Sequence, residues 1–408
     1  MTDSVANSGF FAVDVRCFAE ACTNLNDGVA YLVMACGTGG DHTTSAWAAK
    51  AVEKYTGISR NRSKEAVSRL IARELVLKPM NSKVHKLVSY AQRMGTAPDF
   101  TPLSDDQAQV LEVIRNGGSL TGKQKMHVST LLRLNRIHVA RDDFGQNYYA
   151  VTVPHEPKLA FIPNSFVTGI ADETPPLERL RRYQDPLLLR LTIDLYHLHF
   201  ENDGGVPKTI IRRKYDKTPK AQFGPYNVYE FKSGSRVAYD CDAIRPHTRE
   251  QADGERDWSA VWKRFDLLEQ AGVLEWLPVL FEVDSDLAEP LFPLGHGGTE
   301  SLEDQLGDTA HQAAVRMLSR RYNLQEDAPG LGKASKDCQL IPLLRDFEQA
   351  TLFGIARLRY RPRTARTALW FSNIAQKSTE YLAAWQEVIS RVELQAREEF
   401  PVHQPIYD

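Results

Sequence analysis

Thr56-Gly57-Ile58-Ser59-Arg60-Asn61-Arg62-Ser63-Lys64-Glu65-Ala66-Val67-Ser68-Arg69-Leu70-Ile71 is the stretch on which the reading of this chain turns. Gly57 stands where a helix has to stop, because glycine enters the left-handed backbone region without a steric cost. Two residues later Ser59 has the side chain of an N-cap, able to accept a hydrogen bond from an orphaned N–H of the next helix. Behind it Ala66, Val67, Leu70 and Ile71 recur at the spacing of one helical face. Arg60, Asn61, Ser63, Lys64 and Ser68 fall largely on the remaining faces. The stretch predicts a helix end, a tight turn, and a second helix that opens on basic and small polar side chains.

Working outward, Asn26-Asp27 starts an earlier helix carrying Ala30, Tyr31, Val33 and Met34, and Gly37-Thr38-Gly39-Gly40 ends it. That glycine run lacks the Gly-Lys-Ser/Thr of a phosphate loop and reads as a flexible turn between helices. Thr44-Ser45 are expected to cap the next helix, whose apolar side is Trp47, Ala48, Ala51, Val52 and Tyr55. Beyond Ile71, Leu75-Val76-Leu77 and Lys83 to Val88 alternate like two strands around Pro79-Met80-Asn81-Ser82. The whole chain carries a net charge of −2, yet eleven Lys and Arg face four Asp and Glu between Asp41 and Gly95. A basic module in a near-neutral chain implies a polyanionic partner for that module.

Helix, helix, turn, helix and hairpin is a layout that resembles the winged helix-turn-helix, and Thr56 to Ile71 is similar to the turn and recognition helix of GntR-like and MarR-like bacterial regulators. The resemblance covers about 50 residues and implies double-stranded DNA as partner. An α-helix fits the major groove, where Arg pairs with guanine and Asn with adenine. A helix N-terminus also favours phosphate. The implied contacts are Ser59, Arg60, Asn61, Arg62, Ser63, Lys64 and Ser68 on the helix, with Lys78, Lys83 and Lys86 of the hairpin on the DNA backbone.

Residues 104–154 read as a second, shorter module of this kind. A helix through Val110, Leu111, Val113 and Ile114 is followed by one from Lys123 to Leu134. Two β-rich runs then flank Asp142-Asp143-Phe144-Gly145. Lys123 and Lys125 are its DNA-facing candidates, with packing as the alternative use. Residues 176–284 read as a third module. In it, Asp185-Pro186 opens an apolar helix to Phe200, Asn202-Asp203-Gly204-Gly205 ends it, and Pro207 to Tyr215 forms a second helix. Residues 222–254 are an insertion, and Glu275-Trp276 to Glu282-Val283 supply wing strands. Lys208, Arg212, Arg213 and Lys214 of this module join the DNA-binding candidates.

From 300 to 408 a helical region is expected, with helices at Glu300–Tyr322 and Cys338–Leu358 around a Pro329-Gly330-Leu331-Gly332 loop. Arg357, Arg359, Arg361, Arg363 and Arg366 could bind phosphate or neutralise the acid-only block from Glu282 to Asp308. On the last helix Leu382, Trp385, Ile389, Val392 and Ala396 form a heptad seam. It serves either the chain's own core or a homodimer through residues 378–400.

The expected fold class is thus mainly α with small β hairpins (α+β): tandem winged helix-turn-helix domains at 10–95, 104–154 and 176–284, and a C-terminal helical region. Five scattered cysteines without a C-x-x-C pair suit a reducing cytoplasm. No apolar run reaches the roughly 20 residues of a membrane helix, and the polar Met1–Ser8 does not read as a signal peptide. Neither catalytic residues, metal nor cofactor is expected: no nucleophile–base pair or dinucleotide fingerprint stands out, and Asp240 with Asp242 is too sparse for a metal-dependent nuclease. The function expected is sequence-specific binding of duplex DNA in transcription regulation, of bacterial or phage type. The alternatives are a plasmid or phage replication initiator on origin repeats, and a non-catalytic protein-interaction scaffold.

Overall fold

The structure, a computed structural model, describes residues 9–399 except 81, 98, 100, 142–144, 154, 172, 200–203, 296–301, 320–336 and 363–364. The fold is mixed α and β, and the chain divides into two compact units, one of Phe10–Arg190 and one of Leu191–Asp408 together with the first nine residues.

In the first unit β1 (Phe10–Asp14) leads into α1 (Val15–Ala21), capped by the Asp14 carboxylate, and α2 (Leu25–Cys36), capped by Asn24. From Asp27 to its end every side of α2 is buried, so it is the central helix of this unit. Then come β2 (Thr44–Ser45), α3 (Ala49–Thr56), α4 (Arg60–Ala72), β3 (Val76–Leu77) and β4 (His85–Leu87). The three short strands form one antiparallel sheet in the order β2-β4-β3. Thr44 and Ser45 are therefore strand residues and not the cap of α3. The Ser45 hydroxyl donates to the Met34 carbonyl at 2.5 Å, and α3 starts after Ala48 without a side-chain cap.

A short helix α5 (Tyr90–Arg93) is followed by α6 (Asp105–Arg115), α7 (Gly122–Lys125), α8 (Val128–Arg133), β5 (Ile137–Arg141) and β6 (Asn147–Val151). Ser104 with Gln107 and Thr121 with Gln124 form reciprocal capping boxes that set the starts of α6 and α7. The single helix expected from Lys123 to Leu134 is broken at Met126-His127. These elements share a small core of Val110, Ile114, Val128, Leu131 and Ile137. Of the turn expected between β5 and β6, residues 142–144 lie outside the described residues, as does Asn81 of the β3–β4 turn.

The chain then returns to the first core. β7 (Leu159–Pro163) pairs antiparallel with β1, and α9 (Ser165–Thr168) and α10 (Pro176–Arg182) pack on α2 and α3. Residues 176–190, read from sequence as the start of a third module, thus belong to the unit of the first. The helix expected from Pro186 is present as α11 (Pro186–Leu198). Phe200, Asn202 and Asp203 lie outside the described residues.

The second unit departs most from expectation. β8 (Ile211–Phe223) and β9 (Tyr226–Ala238) form a long hairpin turned at Gly224-Pro225. After the small pair β10 (Arg249–Glu250) and β11 (Arg256–Asp257) come α12 (Ser259–Gln270), β12 (Leu274–Phe281), β13 (Pro290–Pro293) and α13 (Leu302–Ser319). The chain ends through β14 (Cys338–Leu344), β15 (Thr351–Leu358) and α14 (Ala365–Glu399). The strands make a six-stranded antiparallel sheet in the order β13-β12-β15-β8-β9-β14. So Pro207 to Tyr215 runs into a strand instead of a helix, Cys338 to Leu358 is two strands, and β12 is an interior strand rather than one arm of a wing. Alternate residues of β12 and β15 serve opposite faces. Leu280 and Leu352 join α13 and α14, while Leu277, Val279, Phe281, Phe353 and Ile355 form a second cluster on the other side.

The heptad side chains of α14 point into this core. Trp385, Val388 and Val392 are buried, Leu382 and Ile389 pack beside them, and Trp385 Nε1 donates to the Pro342 carbonyl at 3.2 Å. The seam that a homodimer through 378–400 would need is occupied inside the unit; the side chain of Ala396 lies outside the described residues. The Pro329–Gly332 loop, Glu300 and Tyr322 likewise fall outside them. All five cysteines are free, and burial pushes the Cys17 and Cys36 thiols up to about 12. No helix among the described residues is long and apolar enough to cross a membrane.

Candidate nucleic-acid interface

Helix α4 has one buried stripe, Ser63, Ala66, Val67 and Leu70, and the opposite side faces solvent. Gly57 supplies the turn before it, with φ of 64° and its N–H bonded to the Glu53 carbonyl at 3.1 Å. A side chain with a Cβ at that φ would be strained. Ser59 occupies the N-cap position, but its hydroxyl makes no capping bond. The free N–H groups of the first turn are thus left to an outside acceptor.

Asn61, Arg62, Lys64 and Ser68 are exposed, and Arg60 is half-buried beside Glu53 at 3.6 Å. Ser63 is the exception among the helix residues. It is fully buried, and its hydroxyl donates to the Ile58 carbonyl at 3.2 Å. Its place at i of the stripe i, i+3, i+4, i+7 turns it inward, so it holds the turn and is not a surface contact.

The helix is tied to α2 by charge. Asp27, 1 % exposed, accepts from Arg69 at 2.7 Å and from Arg73 at 2.8 Å. The carboxylate is inside while both guanidiniums reach water, so the pair keeps part of its hydration and still orients α4. Replacing Asp27 by alanine should cost about 1–3 kcal/mol, since it removes two charge-assisted bonds but leaves cations that water can reach. A thermal melt would measure this, and an unchanged midpoint would remove Asp27 as the anchor.

On the hairpin, Lys78, Lys83 and Lys86 are all exposed, while His85 between them is buried and its pKa is lowered by burial and by Lys78. Lys86 pairs with Leu77 of β3 and Thr44 of β2, so it sits on the middle strand of the sheet. Two further cations were not singled out in the sequence. A Cβ on Gly57 would lie 4.0 Å from Arg181 Nη2, and Arg182 follows on the same helix; Glu178 is bonded to both, at 2.6 and 3.1 Å. Their signal was the Glu178–Arg182 charge cluster, whose place against the turn depends on the return of the chain through β7.

In the second module Lys123 and Lys125 are exposed on α7. The candidates of the second unit are not brought together on a surface, except Lys214, which is exposed. Lys208 is 3 % exposed, donates to the Ala288 carbonyl at 2.9 Å and lies over the Phe281 ring. Arg212 is buried over Phe353 and donates to the Tyr239 hydroxyl at 2.8 Å, with Asp286 at 3.3 Å. Arg213 stacks over Trp276 near Asp337 and Glu269. These three cations brace the sheet through aromatic faces and carboxylates and cannot reach a polyanion.

Two other charge clusters are used internally. Arg357 is buried between Glu275 at 2.6 Å and Glu303 at 2.7 Å, which is the neutralising use of the arginine run. Arg359 is 3.7 Å from Glu275; Arg363 and the side chain of Arg366 lie outside the described residues. Asp240 is held by Arg245 and Arg256, and Asp242 by Arg245. The Arg245 hydrogen bond lowers the Asp240 pKa. Guanidinium groups thus occupy the two carboxylates that a nuclease metal would need.

No protein-family model matches this chain, and neither does any curated protein or solved structure.

Proposed function

We propose that residues 10–95 act as a winged helix-turn-helix that binds double-stranded DNA with sequence preference, and that the protein is a cytoplasmic transcription regulator. The observation carrying this reading is the solvent side of α4, where Asn61, Arg62, Lys64 and Ser68 are exposed and Arg60 is half-buried, over a buried stripe after a left-handed glycine turn. Side chains of these types, on a helix end with unspent N–H groups, match what base edges and phosphates accept. Lys78, Lys83 and Lys86 on the adjoining hairpin add charge for the DNA backbone. Arg182, on the helix whose Arg181 reaches the turn, is a further phosphate contact in this reading.

The test is duplex DNA selected from a random pool, followed by anisotropy titration across a salt series. With about four phosphate contacts, affinity should fall roughly a hundredfold between about 50 and 200 mM salt. Binding that ignores salt over that range, or no selected sequence at all, would sink the proposal. Selection of directly repeated sites filled by several copies would move the process from transcription to replication initiation.

A further inference from the structure

The second module leaves a surface that its own stability does not explain. From Val113 to Arg141 the chain carries Arg115, Lys123, Lys125, Arg133, Arg136 and Arg141, and no Asp or Glu. Of these, Arg115, Lys123, Lys125, Arg133 and Arg141 are exposed, Arg115 in an ion pair with Glu112 at 2.6 Å. The same module exposes large apolar groups beside the bases, which a soluble surface ordinarily avoids.

The register of the β5–β6 hairpin determines how these groups are arranged. Ile137 pairs with Val151, Val139 with Tyr149, and Arg141 with Asn147, all on one face. At the base of that face Ile137 and Val151 close the small core. One rung further out the core has ended: Val139 is 53 % and Tyr149 40 % exposed. One rung beyond, Arg141 is held by the Asn147 side chain at 3.1 Å. On the reverse face Tyr148 is 51 % exposed and pairs with nothing larger than Ala140. Each face of the ribbon thus offers a tyrosine ring, and a guanidinium stands one step from Tyr149.

Basic charge concentrated between Glu112 and Asp142-Asp143 selects a polyanion. Exposed flat rings select a polyanion whose own flat apolar faces are accessible. Unpaired nucleobases meet both conditions, whereas in a duplex those faces are hidden in the stack. We propose that the β5–β6 hairpin binds single-stranded DNA, with bases stacking on Tyr148 and Tyr149 and the backbone running past Arg141, Lys123 and Lys125. This activity is distinct from duplex reading by α4 and does not rest on it.

The test uses the full chain and a labelled mixed-sequence single strand of about 16 nucleotides, against its duplex form. The parent should bind the single strand, and Tyr148→Ala and Tyr149→Ala should each weaken that binding about tenfold. Tyr148→Phe and Tyr149→Phe should stay within about twofold, because the ring and not the hydroxyl stacks. Duplex affinity should be unchanged in all four. A Tyr148→Trp variant should also show indole quenching by the single strand, beyond any change in the parent, and none by the duplex. No single-strand binding by the parent, alanine variants equal to it, an equal loss on the duplex, or an unquenched indole would each overturn the proposal. Loss of single-strand binding with duplex binding intact separates this site from that of α4.

Discussion

Changing Arg60 and Arg62 together to alanine is expected to lower affinity for a selected duplex site by about a hundredfold or more, with little change on a scrambled duplex beyond the loss of two charges. Each bidentate arginine–guanine pair is worth about 1–3 kcal/mol of discrimination, and both residues sit in the first turn of α4, the part that would meet base edges in the proposed complex. The fold should not suffer. Arg62 is exposed, and the Arg60–Glu53 pair, at 3.6 Å and half-exposed, contributes little. Lys83→Ala gives the contrast. In the proposed complex Lys83 meets only phosphate, so its removal should weaken binding to all sequences alike and flatten the salt dependence. Competition anisotropy on both duplexes makes the measurement. A double variant that still prefers the selected site would mean that α4 does not read it.

The second large effect concerns stability. Replacing Trp385 by alanine should destabilise the second unit by about 3–5 kcal/mol, the range for deleting a large buried aromatic. Trp385 is 1 % exposed and lies edge-on to Phe292 at 5.3 Å. Its indole N–H also satisfies the Pro342 carbonyl on the edge strand β14. Phenylalanine at this position should recover much of the packing while leaving that carbonyl unpaired, a residual loss of about 1–2 kcal/mol. Urea unfolding of parent and both variants would rank them. An alanine variant as stable as the parent would contradict the placement of α14 against the sheet. The same placement accounts for the heptad spacing without a partner chain.

What could be read in the sequence follows the range of the physical signal. Gly57 and the stripe Ala66, Val67 and Leu70 are local, so the end of α3, the turn and the span of α4 were legible. Ser63 completes that stripe one turn earlier, yet its polarity points outward while its spacing points inward, and the spacing wins. Lys208, Arg212 and Arg213 have the charge of an exposed helix. Their burial depends on Phe281, Phe353 and Trp276, which arrive from strands more than sixty residues away in sequence. Cys338 to Leu358 shows the familiar ambiguity of continuous apolar runs, where a strand buried on both faces and a buried helix have the same composition. Pro342 and Gly354 inside the run spoke against a helix. The hairpin at Gly224-Pro225 carried a local signal, a Gly-Pro pair between β-prone segments, that the reading of an insertion passed over.

The return of the chain through β7 has a consequence for how such a protein can be built. The segments leading out of the first core and back into it meet, with the His155 N–H on Thr96 Oγ1 at 3.4 Å, and β7 then pairs with β1. Residues between these points hold a small core of their own. A segment whose two ends touch can be spliced into or cut from a gene without rethreading its host, because the gap it leaves is closed by a short loop at little entropic cost. The chain is in this sense a host with a guest. The guest keeps a small core of its own, so its removal leaves the α2–α4 core its packing.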